Sequence, residues 1–184
     1  SHFVYLVSGS DRLRMLVRVI KQENPESALI FCNTKDETQA VARYLKDAGY
    51  NADWINSDLS QAERERVMAA TRSAKLRFLV ATDVAARGID ISQLSHVINF
   101  TFPESLEVYI HRTGRTGRQG RAGAAISLIA PQDIGNLYFL RLTYKIFPIE
   151  RTLPERDAEE RTLELERLGR LRTEIDGAGV TGFR

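Results

Sequence analysis

Cysteine is nearly absent from this chain. Cys32 is the only one, so no internal disulfide can form, and no Cys/His spacing resembles a zinc site. Long apolar runs are missing as well, and nothing approaches the length of a membrane span. No charge of one sign dominates: 26 basic residues face 24 acidic ones for a net of +2, so any basic surface must come from local arrangement. A Gly-x-x-x-x-Gly-Lys-Ser/Thr phosphate loop is also lacking. These absences exclude a disulfide scaffold, a zinc module and a membrane-spanning segment. They fit a chain of a reducing, cytoplasmic compartment.

What is present is a core. With 184 residues and 43% hydrophobic content, the chain can bury one well-formed domain plus an appendage. Short apolar runs at Phe3–Val7, Ala28–Cys32, Ala52–Ile55, Phe78–Ala81, His96–Phe100 and Ala124–Ala130 alternate with longer segments of helical period. Leu29-Ile30-Phe31 and Phe78-Leu79-Val80 are continuously apolar, as strands of a parallel sheet covered on both faces must be. The pattern predicts a doubly wound α/β fold. Thr34…Glu37 and Ser60…Glu63 have capping-box spacing, Ser10-Asp11 opens another helix, Ser105–Ile110 reads as a further one, and Gly49 is placed to end the helix after Thr34.

The composition changes after Pro148. Residues 151–184 hold seven Arg and eight acidic residues, with Leu163, Leu165, Leu168, Leu171 and Ile175 at helical spacing. The division expected is a domain over 1–150 and a charged helical extension over 151–184. The leucine stripe is a half-buried strut or a dimerisation surface.

The most informative segment is His111-Arg-Thr-Gly-Arg-Thr-Gly-Arg-Gln-Gly-Arg-Ala-Gly123. Arg112, Arg115, Arg118 and Arg121 offer four planar, permanently charged forks, and the interleaved glycines allow close backbone approach. This reads as a phosphate-binding loop inside a fold. Polar segments also follow the strands at Cys32-Asn33-Thr34-Lys35 and Thr82-Asp83, which puts three polar stretches on one rim. Cys32 and His96 read as structural.

Leu29–Lys35, Gln61-Ala-Glu-Arg64, Ala81-Thr-Asp-Val-Ala-Ala-Arg-Gly-Ile-Asp90, Val97-Ile-Asn99 and His111–Arg118 together resemble motifs IV, IVa, V, Vb and VI of the DEAD-box RNA helicases, in that family's order. The initial His111 favours this group over the related DEAH group. The resemblance covers about residues 3–150. It implies a three-layer RecA-like lobe, of the P-loop NTPase type, with a mainly parallel sheet and a C-terminal helical extension. It also implies arginine fingers at Arg115 and Arg118, aimed at ATP on a second lobe. Gly88 and Asp90 would lie against the nucleotide, His111 and Arg112 would couple the two lobes, and Thr34, Arg64 and Thr82 would grip RNA phosphates without reading bases. Gln61 would orient its loop.

Neither the phosphate loop nor an Asp-Glu-Ala-Asp stretch occurs in these residues. ATP and Mg²⁺ would therefore be bound mainly by an N-terminal lobe, and this chain alone is expected to lack ATPase activity and to bind no metal. The partners implied are that lobe and RNA, with no membrane. A stand-alone RNA-binding adaptor is the alternative reading. One position departs from the family: Asn56-Ser57-Asp58 stands where His-Gly-Asp is common, so Ser57 replaces a glycine at an RNA-facing loop.

Overall fold

The strongest apolar run becomes an interior strand of the sheet. In the computed structural model, which describes residues 1–8, 11–89, 94–114, 123–154 and 156–177 (side chains of 156–164 and 176 excepted), all five residues of Ala28–Cys32 are buried. In chain order the elements are β1 (His2–Leu6), α1 (Arg12–Glu23), β2 (Ala28–Cys32), α2 (Lys35–Asp47), β3 (Ala52–Ile55), α3 (Gln61–Arg72) and β4 (Phe78–Thr82). There follow α4 (Asp83–Ala86), β5 (His96–Asn99), α5 (Leu106–Thr113), β6 (Ala124–Ile129), α6 (Ile134–Tyr144), β7 (Ile149–Glu150) and α7 (Arg156–Gly177). The seven strands form one sheet in the order β3-β4-β2-β5-β6-β1-β7, and every pairing is parallel. This is the three-layer α/β fold that the apolar runs predict, because buried parallel strands need helices on both faces.

The register sorts side chains into layers. Leu29 pairs with Leu79 and Val97, and Phe31 pairs with Ala81 and Asn99, so these residues share one face. On that face Leu29, Phe31, Leu79, Ala81 and Val97 join Val67 and Met68 of α3 in one apolar cluster. Farther along the sheet, Val4 and Ile129 pack with Tyr109 of α5 and Leu140 of α6. The alternate residues Ile30, Val80 and Ile98 are buried against the other layer, where α2 packs on the sheet and touches α1.

Helix ends follow local chemistry. The Ser60–Glu63 capping box is complete, with Glu63 N–H donating to Ser60 Oγ at 3.2 Å and Ser60 N–H to Glu63 Oε2 at 3.2 Å. At Thr34 only half of the box forms: Glu37 N–H donates to Thr34 Oγ1, and the hydroxyl in turn donates to the Glu37 carboxylate. Gly49 ends α2 at φ +93°, with Gly49 N–H on Lys46 O and Tyr50 N–H on Leu45 O, the paired bonds of a left-handed helix terminus. α5 runs three residues beyond Ile110, so His111–Thr113 are helical rather than loop, and Gly114 N–H closes the last turn on Ile110 O at 2.9 Å.

The chain divides into two compact units, Ser1–Thr152 and Leu153–Arg184. The first reaches past residue 150 because β7 pairs with β1 and Arg151 N–H donates to Val4 O at 2.9 Å. Arg151 also holds both oxygens of Glu23 at 2.6 Å, lies 3.5 Å above the Phe3 ring, and Glu23 accepts from Tyr5 OH. In the second unit α7 exposes Leu165, Leu168, Leu171 and Ile175.

Candidate functional site

Because all strands are parallel, their carboxyl ends meet one edge of the sheet, the edge at which open α/β sheets bind ligands. Asn33 and Thr34 follow β2, Asn56–Asp58 follow β3, Thr82 ends β4 with Asp83 next at the start of α4, and Asn99 ends β5 with Phe100 and Thr101 after it. α5 carries its own carboxyl end to this place. Ser105 starts it by accepting from Val108 N–H at 3.2 Å.

Arg112 is the centre of the edge. Its Nε donates to Asp83 Oδ1 at 2.6 Å and its Nη2 to Asp83 Oδ2 at 2.6 Å, a bidentate pair. The remaining donors go to Asn33 Oδ1 at 2.7 Å, Asn99 Oδ1 at 3.2 Å and Thr101 O at 2.9 Å. All five guanidinium N–H groups are thereby used. The plane lies 5.0 Å from the Phe31 ring centroid, a cation–π contact. Phe31 and Asn99 are register partners on the face that α5 covers, which is why a residue of α5 meets both.

The acceptors are themselves anchored. Asn99 is fully buried and donates its amide to Ser127 Oγ at 3.0 Å, which leaves Oδ1 aimed at Arg112. Asn33 receives Arg112 while donating its side-chain amide to Phe102 O at 3.2 Å, and its backbone N–H goes to Thr101 Oγ1 at 2.9 Å. Burial is uneven across the ion pair: the Arg112 side chain is 1% exposed and that of Asp83 37%. A cavity of about 220 Å³ opens beside them, lined by Phe31, Asp83, Arg87, Glu107, His111 and Arg112 among others.

The sequence-predicted residues differ in where they fall. Thr34 and Thr82 stand at strand ends, each accepting from a backbone N–H of the following helix, Glu37 at 3.2 Å and Ala85 at 3.4 Å. Arg64 is half-buried in the first turn of α3, and His111 is exposed on α5. Gly88 is exposed at φ +74° with nothing near a notional Cβ, so its backbone conformation rather than crowding calls for glycine. The Arg112 guanidinium, expected to couple two lobes, turns inward and bonds within its own. Asp90, Arg115 and Arg118 lie outside the described residues.

Other expectations shift in detail. Gln61 donates to Glu65 Oε1 at 3.1 Å, one turn along its own helix, rather than holding its loop. Ser57 is exposed between a buried Asn56, whose Oδ1 accepts from Asp58 N–H at 2.9 Å, and Asp58, which pairs with Lys35 at 3.0 Å. Burial pushes the Cys32 thiol pKa well up, so the thiolate is disfavoured. His96 contacts Ser95 Oγ at 2.7 Å, and burial lowers its pKa. Asp83, Asn33 and Asn99 were given no role from sequence. A signal existed for Asn99, a polar residue closing an otherwise apolar strand.

Among the described residues no three metal-ligating side chains cluster, and no helix is long and apolar enough to cross a membrane. Residues 11–120 match the family described as the helicase conserved C-terminal domain. The chain is 40% identical over 176 residues to RNA helicase CrhR of Synechocystis sp., which covers 96% of this chain and 35% of the relative. It is 41% identical over 157 residues to ATP-dependent RNA helicase RhlB of Pseudomonas aeruginosa, covering 82% of this chain and 40% of that one. The chain belongs to the DEAD-box helicase C-terminal domains. Solved structures agree. The C-terminal domain of the DEAD-box protein Dbp5 superposes with a TM-score of 0.75 at 29% identity, covering 89% of this chain and 96% of that one. The E. coli DEAD-box protein SrmB, solved bound to regulator of ribonuclease activity A, gives 0.72 at 33%, covering 84% and 91%. This helicase C-terminal domain thus spans between 35% and 40% of the length of the two curated relatives.

Proposed function

We propose that this domain is the C-terminal lobe of an ATP-dependent RNA helicase of the cytoplasm, completing an ATP site that an N-terminal RecA-like lobe supplies. Arg115 and Arg118 act as arginine fingers on the γ-phosphate, where fixed positive charge stabilises the phosphoryl-transfer transition state. Gly88 and Asp90 border the nucleotide, and the exposed His111 faces the other lobe. ATP and its Mg²⁺ are held mainly by that lobe, so this chain alone turns over no ATP. One observation carries the reading: the helix that leads into the arginine tract ends among the carboxyl termini of β2, β4 and β5, bonded to them through Arg112.

Thr34, Arg64 and Thr82 grip RNA phosphates at the same edge. Such contacts tolerate any sequence and weaken with salt. Loss of Arg64 should reduce the salt slope of RNA binding by about 1. The exposed Leu165, Leu168, Leu171 and Ile175 favour a second role, self-association through α7. Light scattering with and without residues 154–184 tests it, an unchanged monomer mass counting against it.

The decisive experiment is RNA-stimulated ATP turnover of the full-length protein. Arg115→Ala or Arg118→Ala should lower turnover by roughly 10³ with the fold intact. Undiminished turnover rejects the finger assignment.

A further inference from the structure

We propose that Arg112 is a positioning residue acting wholly within its lobe: its bidentate hold on Asp83, with Asn33, Asn99 and the Thr101 carbonyl, sets the direction in which the chain leaves α5 toward Arg115 and Arg118. The proposal rests on reading those two arginines as fingers.

An arginine that meets another lobe must present N–H groups to it. Arg112 presents none, because five acceptors take all five donors and the side chain is 1% exposed. Reaching outward would break a charge-assisted fork at 2.6 Å and leave Asn99 Oδ1 buried without its donor. What these bonds do instead is tie one helical turn to three strands. Asp83 lies just beyond β4, Asn33 just beyond β2, and Asn99 at the end of β5.

That turn is the last of α5. Gly114 closes it two residues later, and a Cβ there would stand 3.0 Å from Ile110 O, so the turn is tight. Arg115 follows three residues after Arg112, a span of at most roughly 10 Å of chain, so this turn fixes the point from which the finger segment starts. Fingers work by geometry, and a misplacement of about 1 Å can cost roughly 10² in rate. A rigid fork locked to its own sheet is the side chain suited to remove that error.

The test uses the full-length protein with Asp83→Asn, Arg112→Lys and the double variant Asp83→Asn/Arg112→Lys, each checked by thermal melting. Asp83→Asn keeps the side-chain shape, removes the negative charge and sets an amide NH2 opposite one Arg112 donor, so the fork loses its charge and one of its two acceptors. It should lower kcat by roughly 10² while KM for ATP and RNA stays within about 3-fold. Exchange of the Gly114 amide should quicken in the same variant, and the double variant should be no slower than the worse single. Parent kinetics in Asp83→Asn, or independent multiplicative losses in the double, overturn the proposal. A raised KM for RNA in Arg112→Lys with Asp83→Asn unaffected also overturns it, in favour of direct contact. Arg115→Ala is the separate control. Parent turnover there removes the finger reading, whereas reduced turnover there with an unaffected Asp83→Asn removes the positioning role alone.

Discussion

Replacing Asp83 with alanine should destabilise the Ser1–Thr152 unit by about 2–3 kcal/mol. The variant strips Arg112 of its ion-pair partner among the described residues and of two of its five acceptors, leaving a cation that is 1% exposed on three neutral partners. Breaking a fully enclosed pair costs about 3–5 kcal/mol. Here the cavity of about 220 Å³ beside the pair admits water, and Asp83 itself is 37% exposed, so the loss sits at or below the lower end. At about 2–4 °C per kcal/mol for a unit of this size, the midpoint should fall by roughly 5–10 °C. Urea unfolding should show a lower midpoint with an unchanged m-value. Arg112→Met should cost about 1–3 kcal/mol, chiefly through the orphaned Asn99 Oδ1. The double variant should lose less than the sum of the two, by about 1–3 kcal/mol of coupling. An Asp83→Ala loss below about 0.5 kcal/mol, or strict additivity, would refute the view that this pair is buried and coupled.

Three further outcomes are expected. Ala74 follows α3 at φ +60°, a left-handed conformation costly for a side chain, so Ala74→Gly should raise stability by about 1 kcal/mol in urea unfolding, and a loss would contradict this. The Tyr5 hydroxyl is pushed up to about 12 by burial and by the Glu23 carboxylate. Below pH 10 folded and unfolded chains both keep the proton and its stability contribution is complete. Between about pH 10 and 12 only the unfolded chain releases it, so stability drops. Tyr5→Phe should flatten that alkaline decline, and an unaltered pH profile would count against the assignment. Cys32 is buried with its thiolate disfavoured, so a thiol reagent should label it only as fast as the domain unfolds. Rapid labelling of the native domain would sink that expectation.

β2 and β3 were legible because their signal is local. Ala28–Cys32 and Ala52–Ile55 have the limits that the apolar runs mark, and the helices after Thr34, Ser60 and Ser105 begin where capping residues stand. α6 was not legible. Ile134–Tyr144 is apolar around most of its circumference, with Ile134, Tyr138, Phe139 and Leu142 exposed, so no amphipathic period announces it. β7 was missed for another reason, since two residues carry no period and exist as a strand only by pairing with β1.

Motif order and apolar alternation, written in contiguous residues, were enough to determine a buried parallel sheet and to mark out its polar edge and arginine tract. Folding alone decided the work of Arg112. Its partners Asp83 and Asn33 lie 29 and 79 residues away, and they reach it because parallel pairing brings β2, β4 and β5 to a common edge beneath α5. A guanidinium in a glycine-rich tract reads as an outward phosphate ligand. Five acceptors converging from distant segments turn it inward, and no local pattern of residues encodes that convergence.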